Sequence, residues 1–116
     1  MAFEKTASLK GSNKTYKVSS LAKRYTLRDN GFEITHAGNF QLIRDLGENI
    51  NDRRGLKLKI MIDKDIAELK LSTTTKNGLQ AVQLYGKQGV EMAVEKLQFI
   101  LDGLVERHVL EEVEEQ

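Results

Sequence analysis

The 116-residue chain contains no cysteine and no proline. Without cysteine there is no disulfide, no thiolate metal ligand and no thiol nucleophile. That usage is compatible with a reducing compartment. Without proline the chain should fold with no slow native-proline phase. Aromatic residues make up only 6%, too few to lay out stacking platforms for single-stranded nucleic acid. No apolar run approaches the roughly 20 residues of a membrane-spanning helix. The opening Met1-Ala2-Phe3-Glu4-Lys5-Thr6 has no apolar core, so no signal peptide is expected and a cytoplasmic location is.

What remains is ordinary in bulk and polarised in detail. Hydrophobic content of 40% and charged content of 30% suit a soluble globular protein. The length predicts one α+β domain over 1–116, able to bury roughly two thirds of its unfolded surface. The net charge of +1 hides a gradient, from +6 over residues 1–60 to −5 over residues 101–116. Such polarity suits a nucleic-acid or protein partner. The simpler expectation is that the two ends neutralise one another in the fold or are solvated. The acidic end, 111–116, reads as a frayed tail.

One helix stands out after some 85 residues that read mainly as strands. At 100° per residue, Val90, Ala93, Val94, Leu97, Leu101 and Leu104 fall in one stripe, with Ile100 and Val105 on its shoulders. Glu91, Glu95, Asp102 and Glu106 form an acidic strip. Met92 and Phe99 share a third face, where an ordinary surface helix is polar. The expectation is therefore a helix over 87–106 covered on both sides. A second sheet is preferred as the cover, with a dimer partner as the alternative.

The strand signals are short. Phe3 to Leu9 and Thr15 to Val18 flank a turn at Gly11-Ser12-Asn13. Tyr25 to Asp29 and Phe32 to His36 flank Asn30-Gly31, the preferred two-residue hairpin turn. This reading places Tyr25, Leu27, Phe32 and Ile34 on one face. Phe40 to Leu46 reads as a further strand, and the polar stretch Gly47 to Gly55 as an exposed loop. Leu56, Leu58, Ile60 and Ile62 alternate with polar residues or Met61, the mark of a half-buried strand. A turn at Asp63-Lys64-Asp65 leads to a strand carrying Leu69 and Leu71. Asn77-Gly78 then turns the chain into Leu79 to Tyr85.

Candidate chemistry is sparse. Gly86-Lys87-Gln88-Gly89, ahead of the helix, offers backbone N–H groups and a lysine to a small anion, with an arginine from the basic front within reach. It lacks the glycine spacing and the Lys-Ser/Thr pair of a P-loop. Arg44, Arg53, Arg54, Lys57 and Lys59 form a loose basic surface, but no RNA-module signature accompanies it. His36 and His108 have no carboxylate or second histidine at catalytic or metal spacing. Asp63, Asp65 and Glu68 lack the glycine and further ligands of a calcium loop. No metal or cofactor is implied, and no serine sits in a nucleophile-elbow context.

The blocks Met1-Ala2-Phe3-Glu4-Lys5-Thr6, Tyr25-Thr26-Leu27-Arg28-Asp29 and Gly38-Asn39-Phe40-Gln41 resemble a short family of lactic acid bacteria, domain of unknown function 1831. The resemblance spans essentially the whole chain. It implies two β-sheets packed against a single helix, a remote fold likeness to prokaryotic S-adenosylmethionine decarboxylases, and a place in amino-acid metabolism. The decarboxylase chemistry does not carry over, because the chain lacks the cysteine and any matching serine–histidine motif.

These readings converge on an α+β fold, mainly antiparallel strands in two sheets packed against one long C-terminal helix. Functionally they favour a small non-enzymatic binding or regulatory module, monomeric or homodimeric, whose partner is a small anion or a protein. No membrane partner is expected. The alternatives are an enzyme of amino-acid metabolism with different chemistry, and a nucleic-acid binder.

Overall fold

The computed structural model describes residues 3–9, 12, 14–49, 52–75 and 91–113. In chain order the elements are β1 (Thr6–Ala7), β2 (Thr15–Val18), α1 (Arg24–Asp29), β3 (Glu33–Ile34), β4 (Phe40–Asn49), β5 (Asp52–Ile62), β6 (Leu69–Thr75), α2 (Glu91–Glu106) and β7 (Leu110–Val113). They form an antiparallel three-stranded sheet, β1-β2-β7, and an antiparallel four-stranded sheet, β3-β4-β5-β6. A bridge from Glu4 to Leu69 ties the two sheets together.

The alternation in β5 and β6 places their apolar residues on one face. Leu56, Leu58, Ile60 and Ile62 pair with Thr75, Thr73, Leu71 and Leu69, all buried. Phe40 and Leu42 of β4 continue that face. Ala93, Leu97, Leu101 and Leu104 of α2 close the core against it, so the predicted stripe is the buried one. Tyr16, Val18 and Leu110 bring the three-stranded sheet into the same cluster.

The second apolar face of α2 is not covered as expected. Met92 is 83% and Phe99 79% exposed. Both sheets meet the helix along its main stripe and shoulders, which a half-turn of rotation separates from Met92 and Phe99. The two-sheet architecture stands, but the second sheet does not cover the back of α2.

The expected hairpin at Asn30-Gly31 is a helix terminus. Gly31, at φ 93°, follows the C-cap Asn30. Its N–H donates to the Arg28 carbonyl, and the Phe32 N–H donates to that of Leu27. This is the Schellman arrangement, which uses Gly at a positive φ as the primed hairpin turn does. Leu27 and Phe32 are buried, whereas Tyr25 and Ile34 are exposed. The short β3 pairs with β4.

Two further expectations change. Gly47 to Gly55 is not a loop, because β4 runs to Asn49 and β5 starts at Asp52, the two facing one another. Register shifts around Gly47, at φ 89°, absorb the irregularity as a bulge does. Glu111 to Val113 are not frayed but paired with β2. Lys14 meets Glu112 at 3.8 Å and Lys17 meets Glu111 at 3.9 Å, so basic front and acidic end neutralise one another there. The expected strand Leu79 to Tyr85 lies outside the described residues.

Candidate functional site

Both helices end in the same way, and their ends meet. At the end of α2, His108 occupies the left-handed region at φ 65°. Its N–H donates to the Val105 carbonyl, and that of Val109 donates to Leu104. Arg107 is thus the C-cap of α2, as Asn30 is of α1. The residue after each left-handed position, Phe32 or Val109, is buried and anchors the terminus. The two C-caps are joined side chain to side chain, Arg107 Nε donating to Asn30 Oδ1.

Arg44 of β4 completes the junction. Its Nη2 donates to the Asn30 carbonyl oxygen at 3.3 Å, and its Nη1 to the Ile43 carbonyl at 3.4 Å. The Asn30 amide in turn donates to the Thr26 carbonyl at 2.8 Å, fixing the residue that both arginines grip. Each guanidinium lies beside a glycine. A methyl group on Gly31 would stand 2.7 Å from Arg44 Nη2, and one on Gly103 would stand 3.0 Å from Arg107 Nη1.

Asn30, Arg44, Gly103 and Arg107 line a cavity of about 220 Å³ with Leu42, Phe99, Ile100 and Leu104. Leu42 and Leu104 are buried and Phe99 is exposed, so the cavity has an apolar floor, an aromatic rim and two guanidinium groups. Glu106 and Asp102 also border it. The Asp102 carboxylate accepts from Gln98 Nε2, which also donates to the Tyr16 hydroxyl, each at 2.9 Å. Among the described residues neither Arg44 nor Arg107 is ion-paired, since the two ion pairs found join β7 to the region of β2. A guanidinium carries five N–H donors. Those left over by Asn30 and Ile43 suit a carboxylate or phosphate oxygen.

The predicted site residues divide. Gly86, Lys87, Gln88 and Gly89 lie outside the described residues, as do the side chains of Arg53 and Arg54. Arg44 shares the inward face of β4 with Phe40 and Leu42. Lys57 and Lys59 stand on the opposite, open face of the four-stranded sheet, in register with Asp45 and Ile43. The basic surface is therefore split by the sheet. His36 and His108 are both exposed, and His108 serves as a helix terminator. Asp63 is occupied within its turn, its Oδ1 accepting from the Ala67 and Glu68 N–H groups at 2.8 and 3.0 Å. Among the described residues no group of three or more His, Asp or Glu is placed to hold a metal ion.

Asn30 and Arg107 escaped the sequence reading. Asn30-Gly31 signals a positive φ, which a hairpin turn and a helix end use alike. Nothing local marks Arg107, because its partner is 77 residues away.

A larger cavity, about 430 Å³, lies between β1 and β6, lined by Glu4, Thr6, Ser8, Thr15 and Leu71 among others. It is lined mostly by uncharged groups, and Lys70 at its margin points its ammonium over the Phe3 ring, 4.9 Å from the centroid. No helix among the described residues is long and apolar enough to cross a membrane.

Residues 1–111 match the model of a family described as DUF1831, putative amino acid metabolism. The chain is also similar to the crystal structure of a DUF1831 family protein from Lactobacillus plantarum. The two share 34% identity with a TM-score of 0.84, over 97% of this chain and 99% of that one. No curated protein matches the chain. With nearly its whole length accounted for by that family model, the chain belongs to the DUF1831 family.

Proposed function

We propose that this protein is a small cytoplasmic binding or regulatory module that holds a carboxylate-bearing metabolite between Arg44 and Arg107. The observation that carries the reading is the pair of guanidinium groups gripping Asn30 beside a cavity with an apolar floor. Two charge-assisted donors on one small cavity are the usual means of orienting a carboxylate. The family's description, putative amino acid metabolism, agrees with a carboxylate ligand. An enzymatic reading finds less support, since the cavity's carboxylates, Asp102 and Glu106, are joined there by neither His36 nor His108.

The test uses sodium acetate as the probe against ¹⁵N-labelled protein, following the Nε–H resonances of all arginines. Saturable shifts confined to Arg44 and Arg107, and lost in Arg107→Gln, are the expected outcome. If acetate leaves both resonances unmoved, or moves exposed Arg28 equally, the carboxylate reading fails.

A further inference from the structure

The electrostatics of the cleft restrict the ligand beyond a simple anion. Two guanidinium groups stand there, but the C-termini of two helices meet there too, each carrying partial negative charge. Glu106 adds a full negative charge on the same cavity. Among the described residues no side chain pairs with it. The Asp102 carboxylate is turned toward Gln98. A bare anion would gain from the arginines and lose to the helix ends and Glu106. A cation would meet the reverse. A ligand carrying both charges one carbon apart gains from each set.

The cavity also limits size. About 220 Å³ is about seven waters' share of liquid volume. That is room for one ring or a branched chain with a short charged head. Phe99 is 79% exposed at its rim although Leu97 and Leu101, on the same helix, are at most 1% exposed. An aromatic ring over a leucine floor favours an apolar group lying against it.

We infer that the cleft between the C-termini of α1 and α2 takes a free α-amino acid with an apolar or aromatic side chain. The carboxylate lies on Arg44 and Arg107, the ammonium toward Glu106, and the side chain against Phe99. The inference rests on the carboxylate reading above and adds the ammonium and side-chain contacts.

The experiment compares L-phenylalanine with 3-phenylpropanoate, which lacks the ammonium, and phenethylamine, which lacks the carboxylate. Binding to the full chain is followed by calorimetry and amide shifts. L-phenylalanine is expected to bind at least tenfold more tightly than either analogue. Glu106→Gln should lower it to the level of 3-phenylpropanoate without weakening the latter. Phe99→Ala should weaken L-phenylalanine while leaving glycine, the head group alone, unchanged. All the substituted side chains are exposed, so the variants fold. Equal binding of 3-phenylpropanoate and L-phenylalanine overturns the amino-acid inference and leaves the carboxylate reading standing. Failure of both acids to bind, or preference for phenethylamine, overturns the two together.

Discussion

The two sheets are held by different forces. The four-stranded sheet presents a continuous apolar face to α2, with Leu58, Ile60, Ile62 and Leu69 all at 0% exposure. The three-stranded sheet contributes fewer buried residues and is fastened by polar contacts at its surface. Lys14 and Lys17 reach Glu112 and Glu111, the Ser20 N–H donates to Glu111 Oε2 at 2.7 Å, and Gln98 donates to the buried Tyr16 hydroxyl. Apolar burial is indifferent to pH, whereas carboxylate and phenol contacts are not. The four-stranded sheet should therefore set the size of the stability, and the three-stranded sheet its pH limits.

The sharpest way to break this comparison is a cavity in each sheet. Ile60→Ala should cost about 2–5 kcal/mol, because the removed carbons leave a void the strands cannot close. Val18→Ala, with two methyl groups lost from a site 9% exposed, should cost about 1–2 kcal/mol. Urea midpoints at an unchanged slope measure both. Equal losses would show that the two sheets share the apolar load.

A second, smaller effect lies where α1 joins the four-stranded sheet. Gly31→Ala places a side chain at φ 93° and 2.7 Å from Arg44 Nη2. Left-handed strain alone costs about 1–2 kcal/mol. The displaced guanidinium adds to it, and acetate binding at Arg44 should weaken as well. Gly38→Ala, at φ 91° with open space around it, should show the strain without the loss of binding.

The same contrast explains what was legible in the sequence. The four-stranded sheet announces itself because β5 and β6 alternate strictly, and alternation is a local signal. The main stripe of α2 is equally local. The three-stranded sheet depends on pairing Thr15–Val18 with Leu110–Val113, nearly the length of the chain apart. An acidic segment looks the same to local rules whether it frays or pairs with lysines. The site follows this division. Arg44 was visible as part of a basic cluster, but the partition of Arg44 from Lys57 and Lys59 depends on strand register. Asn30-Gly31 is ambiguous in sequence because a positive φ serves a hairpin turn and a helix end alike. Arg107 became a site residue only where two distant helix ends met.

Tyr16→Phe should cost about 1 kcal/mol, the net worth of one hydrogen bond, and it also tests the alkaline limit. Burial pushes the Tyr16 phenol above its ordinary value of 10.0, with the Gln98 hydrogen bond opposing in part. The folded state thus favours the neutral phenol. That stability is fully present below 10.0 and is lost as pH rises through the raised folded value. In wild-type protein the urea midpoint should fall across that range. In Tyr16→Phe the fall should be shallower, and an unchanged alkaline limb would place the titrating group elsewhere.

The smallest effect belongs to Glu111. The Ser20 backbone N–H, aided by Lys17 and the hydroxyls of Ser19 and Ser20, holds its carboxyl below the ordinary 4.5, against a smaller opposing push from desolvation. A lowered folded value means that the folded state favours the carboxylate. Its contribution is present above 4.5 and is lost as pH falls through the depressed value. Because the carboxylate is partly exposed, salt should weaken the Lys17 part within ordinary ionic strengths. The Ser20 hydrogen bond should persist, since it is a short direct contact of 2.7 Å. Glu111→Gln keeps an acceptor for Ser20 but removes the titration, so its acid limb should be flatter than that of wild type while neutral stability changes little. An equally steep acid limb in the variant would show that carboxylates other than Glu111 govern the acid transition, and the assignment of the acid limit to the Ser20–Glu111 contact would fail.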